Sequence, residues 1–205
     1  QELTPGDPLE ALAVTCLGAC YMDKKPADYA RARACFRDVL ARYDPARVFV
    51  AQDAALRLLA SYLRRPDLEE FRQGLAVADD VLPRLEGTPL ASVAHGFAAQ
   101  MAFNIGDLSR FEAELAKQES AGIESRAVRG RVLFQIARLN ETVLKDYARA
   151  ARYYRRLHDE IPTSGAAHFA GLRAAELEAG KLNSDFAPPL VPEAAAAQQP
   201  TAPTP

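Results

Sequence analysis

The chain has 205 residues, 49% of them hydrophobic, which is enough to build the core of one ordinary domain. Its 25 Lys and Arg against 27 Asp and Glu give a formal charge of -2 at pH 7, so bulk charge does not favour a nucleic-acid binder. With 11 glycines, 3 cysteines and abundant alanine, the composition excludes collagen, a disulfide mini-scaffold and a wholly disordered chain, and it favours helix.

The chain starts at Gln1 and not at Met. A cleaved secretory signal would leave such an N-terminus, and so would trimming of a longer sequence. We expect the former, and therefore a periplasmic or otherwise extracytoplasmic protein. A cytoplasmic location is the alternative.

The three cysteines, Cys16, Cys20 and Cys35, lie in the first fifth of the chain. Cys16 and Cys20 are four residues apart and so share one face of a helix. The histidines are remote in sequence and no CxxC is present, which does not favour a metal site. We expect buried structural thiols. A disulfide between Cys35 and one of the other two is the alternative in an oxidising compartment.

Helical periodicity dominates the rest of the chain. In residues 28–44 the apolar positions follow one face of a 3.6-residue helix, which Asp44-Pro45 ends. The same pattern returns in residues 146–158 and ends at Ile161-Pro162. The segments DYARARACFRDVL and DYARAARYYRRLH are therefore copies of an internal repeat.

Weaker copies occupy the middle of the chain, and another apolar helical run precedes each copy. We expect Pro83, within the second copy, to end its helix early or to kink it. The anchor positions of the four copies are residues 29, 71, 108 and 147, and the preceding runs are residues 9–22, 48–62, 90–104 and 128–139.

Residues 87–106 form the longest uncharged run, but they do not suit a membrane span. A lipid-facing helix would tolerate its polar residues poorly, so we predict a helix buried between other helices and no transmembrane segment. These polar residues, with one proline, are Pro89, Ser92, His95, Gln100 and Asn104.

The patterns predict an all-α protein of four helix-turn-helix units and a final helix over residues 164–179, forming one domain over residues 1–181. A single hairpin cannot bury its apolar face alone, so neighbours stack and the last helix caps the array. Small residues such as Gly18 and Gly74 allow paired helices to approach closely. A Pro- and Ala-rich composition predicts a disordered tail over residues 182–205, within which residues 188–192 could act as a polyproline recognition segment.

Several of these residues resemble the tetratricopeptide repeat (TPR) signature. Leu17-Gly18-x-x-Tyr21 resembles its first-helix element. The second-helix signature is matched by two sets of residues: Tyr29, Ala32, Phe36 and Val39, then Tyr147, Ala150, Tyr154, Leu157 and Pro162. The closing segment IPTSGAAHFAGLRAAEL is similar to the extended repeats of bacterial envelope TPR proteins of the outer-membrane-assembly and Tol-Pal coordinator type. The resemblance implies a right-handed α-α superhelix that docks peptides or proteins without chemistry.

The charge changes sign in blocks along the chain: residues 24–65 are mainly basic, residues 67–124 acidic and residues 126–156 basic again. Such a segmented surface could orient a partner by complementary potential; a solvated outer face is the alternative. Arg126, Arg129 and Arg138 are the candidate partner-binding residues, because they lie on a first helix, the kind that lines the concave wall in TPR-like stacks.

Catalysis is not expected, because the sequence contains no Gly-rich phosphate loop, GxSxG elbow or HExxH helix. For the same reason we expect no metal and no cofactor. Nucleic-acid binding is not expected either, since Tyr147 and Tyr154 of the basic block are needed for packing. The sequence thus predicts a non-catalytic protein-protein interaction scaffold in a larger assembly of the bacterial envelope. A cytoplasmic TPR adaptor and an accessory subunit of an enzyme complex are the alternatives.

Overall fold

The computed structural model describes residues 8–182, which form helices and loops and contain no strand. The prediction of an all-α protein is confirmed for this part of the chain. Each predicted helical run coincides with one helix, and the ends differ by a few residues. The helices are α1 (Pro8–Asp23), α2 (Tyr29–Arg42), α3 (Phe49–Leu63), α4 (Leu68–Leu85), α5 (Ala91–Asn104), α6 (Leu108–Ser120), α7 (Arg126–Leu139), α8 (Tyr147–Glu160) and α9 (Ala167–Glu178), with a π-helical turn, Asn140–Leu144, directly after α7.

Aspartates mark the starts of four of these helices. Asp28, Asp67, Asp107 and Asp146 precede α2, α4, α6 and α8, and each side chain accepts a hydrogen bond from a backbone N–H in the first turn. Such a cap contributes about 1 kcal/mol, because it satisfies a donor that the helix itself leaves unpaired. The four caps lie 39, 40 and 39 residues apart, a more regular spacing than that of the apolar anchors.

Contacts within the chain define two compact units, Gln1–Met101 and Ala102–Pro205, whose boundary falls within α5. The two units are described separately below. The predicted single repeat domain over residues 1–181 stays a prediction. The predicted tail lies outside the described residues, apart from Leu182.

In the first unit, α1 packs on α2 and α3, and α3 packs on α2 and α4. The core contains Phe36, Leu58 and Tyr62, all almost completely buried. Close approach between helices depends on Gly18, where an added Cβ would lie 2.6 Å from Cε1 of Phe36. Gly74 is similar, since its Cβ would lie 2.8 Å from Cβ of Tyr62. The predicted role of these two glycines in close helix packing is confirmed.

Pro83 does not end its helix early, and a kink at Pro83, the other predicted outcome, stays a prediction. Helix α4 continues through Pro83 and ends two residues later, at Leu85. Pro83 lies in the last turn, so the missing N–H of proline removes one backbone hydrogen bond near the end of the helix and none from its interior. The ring of Pro83 is exposed to solvent. Leu82 and Leu85 beside it are buried, and their packing holds the turn in helical conformation.

Helix α5 is buried along most of its surface, as predicted for residues 87–106, but Val93 and Gln100 are exposed. Ala94, Ala98 and Met101 are fully buried, and the polar Ser92 and His95 are buried with them. Among residues 8–182, no helix is long and apolar enough to span a membrane.

The core of the second unit lies where α7, α8 and α9 meet. Leu133, Tyr154 and Leu157 are fully buried there, and the rings of Phe134, Tyr154 and Phe169 contact one another edge to face, with centroids 6.0–6.1 Å apart. Apolar packing thus joins the last predicted helix to the preceding pair.

A buried ion pair lies beside this core. The guanidinium of Arg173, on α9, is 1% exposed, and its Nε donates to Glu141 in the π-helical turn at 2.8 Å. Tyr154 donates its hydroxyl to the other oxygen of Glu141 at 2.7 Å. Burial, and then the bond to Glu141, raise the pKa of Tyr154 well above its ordinary value, so its phenol stays a donor. Arg173 also donates to Glu176 and to the carbonyls of Lys181 and Leu182, and so holds the end of the described chain.

Gly18→Ala is expected to lower the free energy of unfolding by about 1–3 kcal/mol, because the new methyl overlaps the buried ring of Phe36. Gly130→Ala is the matched control. Its Cβ would meet its nearest atom at an ordinary 3.6 Å, and alanine favours the helix. We therefore expect Gly130→Ala to be neutral or stabilising in urea denaturation. Equal losses in the two variants would contradict the packing role of Gly18.

Glu141→Ala is expected to destabilise the protein by about 3–5 kcal/mol, because it leaves the buried guanidinium of Arg173 and the hydroxyl of Tyr154 without their shared acceptor. Glu178→Ala removes a carboxylate from the exposed Arg155–Glu178 pair and should cost less than about 1 kcal/mol. The midpoints of urea denaturation measure the stability of the two variants. Similar midpoints would show that the buried ion pair stabilises the protein no more than the exposed one.

Candidate functional site

One face of α8 carries a row of arginines. Arg149, Arg152 and Arg156 are spaced three and four residues apart, so their side chains lie on the same side of the helix, and Tyr153 is four residues from Arg149 and three from Arg156. The opposite face is buried in the core through Tyr154 and Leu157. The four side chains line an open cleft of about 320 Å³ on the surface of the second unit. We call it the arginine cleft.

Two arginines of the cleft are held by carboxylates of α6. Arg149 lies 2.6 Å from Glu112, and Arg156 lies 2.8 Å from Glu119. The two glutamates are seven residues apart, as are the two arginines, so the pairs form side by side between neighbouring helices. The side chains of Arg149 and Arg156 nevertheless remain about one-third exposed (35% and 36%), so each can still contact a ligand.

Arg129 of α7 joins the same network. Its guanidinium lies 3.3 Å from Glu119 and 2.5 Å from Glu160, and Glu160 also pairs with Arg156. Hydrogen bonds from Arg156, reinforced by Arg129, hold the pKa of the Glu119 carboxyl below its ordinary value. The same contacts raise the pKa of Arg156. These groups therefore stay charged at neutral pH, and their side chains are restrained.

Arg152 differs from its two neighbours. Its side chain is exposed at the centre of the row, and within residues 8–182 it forms no ion pair. A guanidinium without a carboxylate, between two that are already fixed, presents an uncompensated positive charge to solvent. Such a guanidinium has the donors to bond a carboxylate or phosphate in two places.

The candidate residues from the sequence lie in different environments. Arg126 is exposed in the first turn of α7, and Arg129 is partly buried in the network described above. Arg138 is only 5% exposed, because it faces the interior with Ile136, Ala137 and Leu139. This burial leaves Arg138 little surface with which to contact a partner. Partner binding by Arg126, Arg129 and Arg138 stays a prediction.

Sequence reasoning did not select the arginines that line the cleft, because it favoured the first helix of the pair. A signal was present: Arg149, Arg152, Tyr153 and Arg156 have the spacing of one helix face, complementary to the apolar spacing of α8. Their ion pairs with α6 were not visible, since they join residues 37 positions apart in the chain at Glu119 and Arg156.

A second groove lies in the first unit, between α2 and α4. Helix α3 forms its floor through Leu58, and small or apolar side chains form its walls. Arg37, Asp80 and Arg84 form the rim. The groove encloses about 420 Å³, and its walls are Leu40, Ala41, Ala76, Val77 and Val81. We call it the α2–α4 groove.

Hydrogen bonds fix both arginines of this rim. Arg37 donates to the hydroxyl of Tyr62 at 2.7 Å, and Arg84 donates across the groove to the carbonyl of Leu40 at 2.7 Å. Deeper between the same two helices, Arg33 pairs with Glu70 at 2.6 Å and stacks over the ring of Tyr62 at 3.7 Å. The contacts of Arg33 and Arg84 connect α2 and α4, that of Arg37 connects α2 and α3, and the middle of the groove stays open.

The cysteines are not buried in the way that the sequence predicted. All three thiols are free; Cys16 and Cys20 are exposed and Cys35 is partly buried. Helix α1 is apolar on all sides but buries only the face of Ala11, Thr15 and Gly18, which leaves both cysteines on the opposite side. The expectation of buried thiols is wrong for these two. Within residues 8–182, no group of three or more His, Cys, Asp or Glu could hold a metal ion.

The two histidines that flank the Pro162 turn have packing roles or face solvent. The ring of His158 contacts the carbonyl of Ala167 through Nδ1 at 3.1 Å and packs against the α-carbon side of Gly171. His168 is exposed.

No protein-family model matches the chain, and no curated protein sequence is significantly similar to it. The likeness to tetratricopeptide repeats therefore depends on the residues quoted above.

Thiol labelling under native conditions should distinguish the exposed cysteines from the partly buried one by their reaction rates. Cys16 and Cys20 are expected to react with a maleimide at least about tenfold faster than Cys35, since Cys35 is partly buried. Burial, with a smaller contribution from Asp38, also raises the pKa of the Cys35 thiol and lowers its thiolate fraction. Peptide mass spectrometry of timed samples measures the three rates. Equal labelling of Cys35 would contradict this placement.

Proposed function

We propose that the protein is a non-catalytic interaction scaffold that docks a peptide or partner protein between successive second helices of its hairpins. The α2–α4 groove is the observation that carries this proposal. Its apolar floor and walls suit an aliphatic or aromatic side chain, and its charged rim can bond the backbone or polar ends of a peptide. Apolar contact with a few oriented polar groups is the usual composition of a recognition site.

The groove is suited to binding because its depth comes from small side chains. Ala41 and Ala76, on opposite walls, are exposed, and their short side chains leave the groove open above Leu58, which is 1% exposed. Arg37 and Arg84 are already held by hydrogen bonds, so binding costs little additional side-chain entropy. No part of this arrangement requires a covalent step.

The proposal also includes the arrangement of the helices. The evenly spaced aspartate caps and the repeated second-helix signature support a TPR-like array of about four hairpins and a capping helix, wound as a right-handed superhelix. In such an array each second helix faces the next across a groove. A place in a bacterial envelope assembly remains part of the proposal through the resemblance, with a cytoplasmic adaptor or an accessory subunit of an enzyme complex as the second candidate.

Filling the groove should abolish peptide binding. A random dodecapeptide library displayed on phage is panned on the wild-type protein, and the affinities of enriched peptides are measured for the variants Ala41→Leu and Ala76→Leu. We expect losses of tenfold or more, because the added isobutyl groups occupy the space above Leu58. Ala34→Leu is the matched control, since Ala34 is exposed on α2 but does not line the groove.

Circular dichroism checks that each variant keeps its helix content. The proposal fails if panning enriches no peptide, or if the enriched peptides bind the two filled variants and Ala34→Leu equally well.

A further inference from the structure

The arginine cleft has a length that limits what it can bind. Arg149 and Arg156 are seven residues apart on α8, which corresponds to about 10 Å along the helix axis. Arg152 lies between them, and the Cβ atoms of residues three or four apart on a helix lie about 5–6 Å from one another. In an extended peptide, side chains that point the same way recur every two residues, about 6.6–6.8 Å. Two carboxylates in such a segment therefore match two neighbouring arginines.

The cleft is also pre-organised. Glu112 and Glu119 hold the outer arginines from the side of α6, and the guanidinium of Arg156 lies over the ring of Tyr153, 5.7 Å from its centroid. Fixed guanidiniums lose less entropy when they bind a carboxylate, and their planar forks bond it in two places. Arg152 supplies the charge that no carboxylate of residues 8–182 neutralises.

The charges around the cleft favour a short acidic segment over a long polyanion. Glu112, Glu119 and Glu160 adjoin the same arginines. Together with Arg129 the network has four arginines and three glutamates, so the surplus is one positive charge. A nucleic-acid backbone needs an extended basic surface, whereas one free arginine between two partly available ones suits one or two carboxylates.

We propose that the arginine cleft binds an acidic segment of a partner protein, with the pattern Asp/Glu-x-Asp/Glu, and that Arg152 makes the principal contact. This inference goes beyond the proposed function, because it names a second docking point and the chemistry of its partner. It depends on the second unit alone. One carboxylate bonds Arg152 in a bidentate manner, and the other bonds the free edge of Arg149 or Arg156.

The test uses a fluorescein-labelled peptide, Gly-Ser-Glu-Gly-Glu-Gly-Ser, and the full chain, with binding followed by fluorescence anisotropy in about 50 mM NaCl, where exposed charges are weakly screened. We expect saturable binding, a tenfold or greater loss in Arg152→Glu, and partial recovery in Arg152→Lys, which keeps the charge but not the fork. Arg131→Glu is the control for net charge: Arg131 is exposed on α7, lies outside the cleft and forms no ion pair within residues 8–182. It should change the affinity less than twofold.

Three results would overturn the inference: no saturable binding by the wild-type chain, equal losses in Arg152→Glu and Arg131→Glu, or unchanged affinity when glutamine replaces both glutamates of the peptide. If the peptide fails to bind and oligo-dT binds in a manner that depends on Arg152, the cleft is assigned to nucleic acid. Ala76→Leu should bind the acidic peptide normally. If the acidic peptide does not bind, the proposal for the α2–α4 groove is unaffected, so the two proposals are tested separately.

Discussion

The structure depends on one constraint, which is that helices within each unit bury their apolar residues against more than one neighbouring helix. In the first unit α3 packs on both α2 and α4, and in the second unit α8 packs on both α7 and α9. The approach is close because small residues lie at the contacts: Gly18 faces the ring of Phe36, and Gly74 faces Tyr62. Helix α3 forms the floor between α2 and α4, and the α2–α4 groove is a consequence of that packing.

Arginine has different roles in different parts of the fold, and burial decides which. Arg33 and Arg173 are buried, and each has a glutamate at hydrogen-bond distance, so their charge serves to join helices. Arg149 and Arg156 are partly exposed and restrained by glutamates of α6. Arg152 is exposed and forms no ion pair in the described part of the chain. It is therefore the position at which we propose that a carboxylate of a partner binds.

The two proposed docking sites share a structural origin but differ in chemistry. Both lie beside second helices, where neighbouring helices are joined by ion pairs or hydrogen bonds at the edges. In the first unit small side chains leave an apolar groove, whereas in the second unit long arginine side chains form a charged cleft. A partner that uses both would need an apolar anchor and an acidic segment, which is a more selective requirement than either alone.

The sequence by itself determined the helices, their order and most of their ends, because apolar periodicity, aspartate caps and prolines act over a few neighbouring residues. It also located the basic block that contains the arginine cleft. Only the tertiary structure decided which arginines are available: Arg138 is buried, Arg129 is paired, and Arg152 is exposed. It likewise exposed Cys16 and Cys20, since α1 is apolar on all sides and local pattern does not tell which side a neighbour covers. Exposure and pairing depend on residues distant in the chain, and no local pattern encodes them.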